Sequence, residues 1–150
     1  MATTQVLAEQ ADRAHGLVGR PIRWGFRTVI SVHALSAFAQ AVLAGGFLNG
    51  NYDMLGLHGG ISATGVEILG YLQVVVAVLY WRPGGGALWP ALASVAIVVA
   101  ENVQITLGFD RMIGLHVPLG VAIIAAMTVL ATWAWRGSFG LRTRPRDASS

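Results

Sequence analysis

The sequence has no cysteine, no lysine and little charge of either sign. Without cysteine there can be no disulfide, thiolate metal site or thiol nucleophile. All ten basic side chains are arginine, and charged residues make up 11% of 150 residues against 55% hydrophobic ones. Soluble domains carry about 25% charge, so this composition points to a lipid-embedded chain. Catalytic signatures are also missing. Gly84-Gly85-Gly86 lacks the Lys and Ser/Thr of a phosphate loop, and there is no Gly-x-Ser-x-Gly or His-Glu-x-x-His. Hydrolase readings therefore have no support. The sequence pI near 10.2 follows from arginine at span ends, so no nucleic-acid partner is expected.

Four long apolar runs are present, over about 27–48, 57–81, 87–109 and 112–135. Each holds about twenty or more residues, enough at 1.5 Å per residue to cross a ~30 Å hydrocarbon core. Backbone groups in lipid must bond within their own segment, so the runs are predicted to be helices. No ten-residue alternation of polarity suggests a barrel strand. The connections at Asn49–Asp53, Arg82–Gly86 and Gly108–Arg111 are short, which makes consecutive helices antiparallel neighbours. The expected fold class is all-α: a transmembrane four-helix up-down bundle over residues 21–136, made of a duplicated helical hairpin. Length suits one domain.

The ends read differently. Residues 1–20 contain Glu9, Asp12, Arg13 and Arg20 and no continuous apolar core. They are predicted to be a cytoplasmic N-terminal arm on the membrane surface and not a secretory signal. Residues 137–150 read as a disordered cytoplasmic tail. Arg13, Arg20, Arg23, Arg27, Arg82, Arg136, Arg142, Arg144 and Arg146 fall on one side, and Arg111 alone on the other. This bias predicts a multi-pass protein with both termini in the cytoplasm. Trp24, Trp81, Trp89, Trp133 and Trp135 fall at the same boundary, where amphipathic rings anchor. Richness in Ala, Gly, Val and Arg suggests a GC-rich bacterial genome, hence a bacterial inner membrane. The bilayer is the expected partner, with a homodimer or larger membrane complex beyond it.

Two similar words stand out. Asp53-Met54-Leu55-Gly56-Leu57-His58 is echoed by Asp110-Arg111-Met112-Ile113-Gly114-Leu115-His116, with Gln40 and Gln104 upstream. Each copy enters an apolar run and delivers one histidine to the outer end of the second or fourth span. Those spans are diagonal partners in an up-down bundle, so two imidazoles at equal depth can face each other. Neutral imidazoles so placed suit the two axial positions of a haem. Gly59, Gly60 and Gly120 offer room beside them. Helix capping or a hydrogen bond to water is the plainer role for either histidine.

Other polar residues lie deeper. Glu67 and Glu101 fall at similar depth, and a carboxylate inside a span is costly enough to suggest a site. The two could share a proton, with Gln40, Gln73, Asn102 and Gln104 as hydrogen-bonding neighbours. His33 lies in the first span, seven residues before Gln40, and is expected to bond between helices or to serve a proton path. Polar contact between helices is the plainer role for all three.

Gln104-Ile-Thr-Leu-Gly108, the short loop and Leu115-His116 resemble the bundle unit of haem A synthase, and the similarity is clearest over 104–132. That enzyme has two four-helix bundles, each with histidines on its second and fourth helices. The resemblance implies that His58 and His116 are haem ligands. It does not carry over the synthase reaction, because this chain has one bundle. The pattern is also similar to a group of small four-span actinobacterial membrane proteins with no established activity.

The leading expectation is a membrane protein binding b-type haem through His58 and His116, for electron transfer or haem handling, with Gln40 and Gln104 supporting the site. Two others stand beside it: a non-catalytic subunit or assembly partner, and a small proton-coupled carrier using Glu67 and Glu101.

Overall fold

The computed structural model describes the backbone of residues 2–136, and side chains at residue 5 and over 19–60 and 63–136. The tail expected over 137–150 lies outside the described residues. Among the described residues five helices follow in order: α1 Ala2–Leu48, α2 Tyr52–Gly59, α3 Ile61–Trp81, α4 Trp89–Phe109 and α5 Ile113–Arg136, and no strand occurs. Four stretches of the described residues are long and apolar enough to cross a membrane: Gly19–Leu48, Tyr52–Trp81, Trp89–Phe109 and Ile113–Arg136.

Two boundaries differ from the expectation. The predicted arm over 1–20 is helix from Ala2 and runs into the first span without a break, through Pro21. The second span starts earlier, at Tyr52, and is divided at Gly60 into α2 and α3. A Cβ on Gly60 would sit 2.6 Å from the Gly56 carbonyl oxygen, so the divide depends on a residue with no side chain.

The helices form a ring. α1 and α4 each pack against both α3 and α5. The core stripe on each helix recurs at three- and four-residue steps, the spacing of a helix with one inward face. On α1 it is Phe26, Ile30, His33 and Ala37; on α3, Gln73 and Ala77. On α4 it is Ala91, Ser94, Ile97, Val98 and Glu101; on α5, Ile123, Met127, Leu130 and Ala134. Polar His33, Gln73, Ser94 and Glu101 therefore occupy the same inward rows as the apolar core. Leu35, Phe38, Leu92, Val121 and Val129 point outward and are more than half exposed. An exterior this apolar suits hydrocarbon and not water.

Polar groups on the outer faces bond back to their own helices. Thr106 Oγ1 donates to the Asn102 carbonyl, Thr128 Oγ1 to Ile124 and Thr132 Oγ1 to Thr128. Lipid offers no other partners, and these bonds need none.

An aromatic cluster closes the end that holds Trp24 and Trp135. Trp89 meets Trp133 at 4.4 Å between centroids, Phe26 stacks on Tyr80 at 5.1 Å, and Trp24 meets Trp135 at 5.4 Å. Arg27 lies over both Trp24 and Trp135, and its Nε donates to the Ala134 carbonyl at 2.9 Å. Trp135 Nε1 donates to Ser31 Oγ at 3.0 Å. The tryptophans thus tie α1 to α5 and α4 to α5, besides any role as anchors.

Candidate functional site

The site lies at the opposite end and is built from two turns. α1 ends with the Asn51 N–H on the Gly46 carbonyl and the Gly50 N–H on the Phe47 carbonyl, with Gly50 at φ +93°. α4 ends in the same way. The Met112 N–H meets the Leu107 carbonyl and the Arg111 N–H meets the Gly108 carbonyl, with Arg111 at φ +56°. Both are Schellman closures, which reverse the chain after a helix. The next helix then carries a histidine back alongside the one just ended.

Each histidine makes the same bond. His58 Nδ1 donates to the main-chain carbonyl of Gln40 at 3.0 Å, and His116 Nδ1 donates to that of Gln104 at 2.9 Å. The partners are eighteen positions apart in one case and twelve in the other. The difference is divided evenly about the turns. Gln40 to Gly50 is ten positions and Gln104 to Arg111 seven; Gly50 to His58 is eight and Arg111 to His116 five. The first turn therefore stands one helical turn further out on both of its arms, and the histidine still returns to the level of its glutamine.

A carbonyl can only accept, so each bond fixes the proton on Nδ1 and leaves Nε2 with its lone pair. His58 and His116 are half-buried. Their ring centroids are 6.0 Å apart with planes at 76°. Metal–imidazole nitrogen distances of about 2 Å on both sides of one ion put two ring centroids roughly 6 Å apart. Among the described residues no group of three or more His, Cys, Asp or Glu could hold a metal ion. Two imidazoles alone suit a metal that brings its remaining ligands with it, as a macrocycle does.

The glycines beside the site have different roles. Nothing lies within 4 Å of a Cβ on Gly59, Gly56 or Gly114. A Cβ on Gly108 would be 3.0 Å from His116 Cε1, so this glycine lets the ring lie against α4. The space expected beside Gly120 is taken by the Gln104 side chain, whose Nε2 is 2.8 Å from a Cβ there. Gly60 is likewise occupied, by the Gly56 carbonyl. The Gln40 side-chain amide and Gln104 Oε1 are buried without hydrogen-bond partners.

A second polar group lies deeper. His33 Nδ1 donates to Gln73 Oε1 at 2.8 Å, Gln73 Nε2 donates to Ser94 Oγ at 3.1 Å, and Ser94 Oγ donates to the Pro90 carbonyl at 2.8 Å. On the other side of the ring, His33 Nε2 is 2.9 Å from Glu101 Oε1. The contact is close but off the line of a straight hydrogen bond, and Glu101 Oε2 has no partner either. A Cβ on Gly70 would lie 2.6 Å from Glu101 Oε2 and 3.3 Å from His33 Cε1, so α3 makes room for this pair.

Glu67 has a different neighbour. It is half-buried and accepts a long bond, 3.4 Å, from Tyr71 Oη on its own helix. Glu101 is thus joined to His33 and Glu67 to Tyr71. Asn102 Nδ2 is turned back to the Val98 carbonyl at 2.8 Å. Sequence reasoning missed the His33–Glu101 contact and Ser94. The missing signal was helical phase, because Ser94 and Glu101 stand seven positions apart on one inward row. Comparison with known protein families, curated proteins and solved structures returns no match for this chain.

Proposed function

We propose that this chain is an integral membrane protein that binds one b-type haem, with His58 and His116 as its axial ligands. The observation that carries the reading is the close pair of imidazoles, 6.0 Å between ring centroids, each held through Nδ1 by a glutamine carbonyl and each with a bare Nε2. Haem held by His58 and His116 would supply one-electron redox chemistry, and with both histidines bound to it electron transfer or haem handling would be favoured over oxygen activation.

The chain's own part is orientation. The Gln40 and Gln104 carbonyls fix ring angle and tautomer by accepting from Nδ1. The matching turns and bonds support a duplicated hairpin, with α1, the α2–α3 run, α4 and α5 as an up-down-up-down bundle. The arginine bias supports cytoplasmic termini and a bacterial inner membrane, with the histidines near the outer face. The likeness to one half of haem A synthase is compatible with the reading, and a homodimer would supply a second bundle.

Titration of the purified protein with haem in detergent tests it. Soret absorption should grow and saturate at one haem per chain, and His58→Ala or His116→Ala should weaken binding by at least about tenfold, in line with loss of one metal-ligand contact. An absorbance that rises without saturation, or equally in both variants, removes the reading.

A further inference from the structure

We infer that the buried His33–Glu101 pair is a proton-binding site whose occupancy is linked to the oxidation state of the His58/His116 site. This rests on the reading that those two imidazoles hold haem. Gln73 donates from Nε2 to Ser94 and therefore presents Oε1 to His33, so His33 Nδ1 must carry a proton. His33 Nε2 and Glu101 Oε1 stand 2.9 Å apart without a straight hydrogen bond. Glu101 Oε2 faces the space above Gly70 with no partner. A proton taken up by the pair would find its acceptors among these three atoms.

Nothing nearby competes for this role. His33 is fully buried and Glu101 is 5% exposed. On α1 no other titratable side chain lies between Arg27 and Leu48, and Arg27 is bonded to Ala134 and covered by two tryptophans. On α3, Glu67 bonds with Tyr71, and Tyr80 stacks on Phe26 at the far end. Glu101 is the one titratable side chain on α4, and α5 has none between His116 and Arg136. Glu67 is the other carboxylate at this depth, and it is turned to Tyr71 and not to the pair.

Coupling follows from position. Glu101 is three positions before Gln104, whose carbonyl orients His116, and His33 is seven before Gln40, whose carbonyl orients His58. The rise is about 4.5 Å in the first case and about 10 Å in the second. The Gln40 amide and Gln104 Oε1 are buried polar atoms at the histidine level. Charges at this range interact strongly when water is excluded. An electron accepted by haem at the histidine site would make that end more negative, and the His33–Glu101 pair would compensate by taking up one proton, so that one electron and one proton enter together. Linkage requires the converse: protonation of the pair makes reduction easier.

Potentiometric titration of the haem-loaded protein at a series of pH values tests this, with dithionite as the electron donor. The midpoint potential should fall as pH rises, approaching about 59 mV per unit, the one-electron equivalent of a tenfold change. Glu101→Gln should flatten that slope while the Soret band remains, and Glu67→Gln should retain it. A wild-type measurement covers the case in which Glu101→Gln fails to fold. The reduced-minus-oxidised infrared spectrum should contain a carboxyl band that shifts on carbon-13 labelling of glutamate. An intact haem spectrum with a pH-independent potential, or with no glutamate band, overturns the inference and leaves the haem reading standing. A protein that takes up no haem removes both.

Discussion

The ring centroids of His58 and His116 are 6.0 Å apart with planes at 76°, and each ring is aimed by main chain and not by a side chain. The glutamine carbonyls that aim them also lie within helices, where a second acceptor lone pair remains after the intrahelical bond. Ring orientation is therefore set by backbone, which mutation of the glutamine side chains cannot remove.

That leads to an asymmetric prediction. Gln40→Leu and Gln104→Leu should leave haem affinity within about tenfold of the wild type, because the orienting carbonyl persists. Both glutamine side chains contain buried unpartnered polar atoms. Removing such an atom relieves a desolvation cost of about 1–3 kcal/mol, so thermal unfolding in detergent should occur at the same or higher temperature. A loss of haem as large as that in the histidine variants would show that the amide groups touch the ligand.

Gly70→Ala should destabilise the bundle by about 1–3 kcal/mol, the usual cost of overpacking. Its Cβ would approach Glu101 Oε2 at 2.6 Å and Val98 Cγ2 at 3.1 Å. Gly65→Ala, on the same helix with nothing within 4 Å, should be neutral or stabilising by up to about 1 kcal/mol. Denaturant unfolding of the two variants in parallel checks the contrast. Equal behaviour would mean that the His33–Glu101 pair is not tightly enclosed.

The two turns give a third prediction. Arg111 holds φ +56° where the matching turn has Gly50 at φ +93°. An L-residue in this region costs roughly 1–2 kcal/mol relative to glycine. Arg111→Gly should therefore raise stability and Gly50→Arg should lower it, each by about 1 kcal/mol, as read from unfolding midpoints. Opposite signs at the two positions are required, and a shift in the same direction at both would contradict the shared geometry.

These residues also show what could be read from the chain alone. The four apolar stretches were legible because hydropathy and helix length are local properties. The two similar words drew attention to His58 and His116, whose rings lie 6.0 Å apart, and to Gln40 and Gln104, whose carbonyls accept from them. That the main chain and not the amide makes the bond was hidden, because it depends on loop closure. Gly50 and Arg111 share a role without sharing a residue type, and the first turn stands three positions further out on each arm. Matching the two similar words at histidine conceals that extension. Depth alone paired Glu67 with Glu101. Phase about the helix axis separates them: Glu101 lies in the row of Ser94, Ile97 and Val98, whereas Glu67 is off the row of Gly70, Gln73 and Ala77. Small rotations of this kind decide which polar groups meet, and composition contains no record of them.

The reduced-minus-oxidised absorption spectrum of the protein purified from haem-replete cells decides whether His58 and His116 hold haem. It should be a b-type spectrum with two imidazole ligands, lost in both His58→Ala and His116→Ala and retained in His33→Gln. A colourless protein, or a spectrum that survives loss of either facing histidine, would contradict that reading.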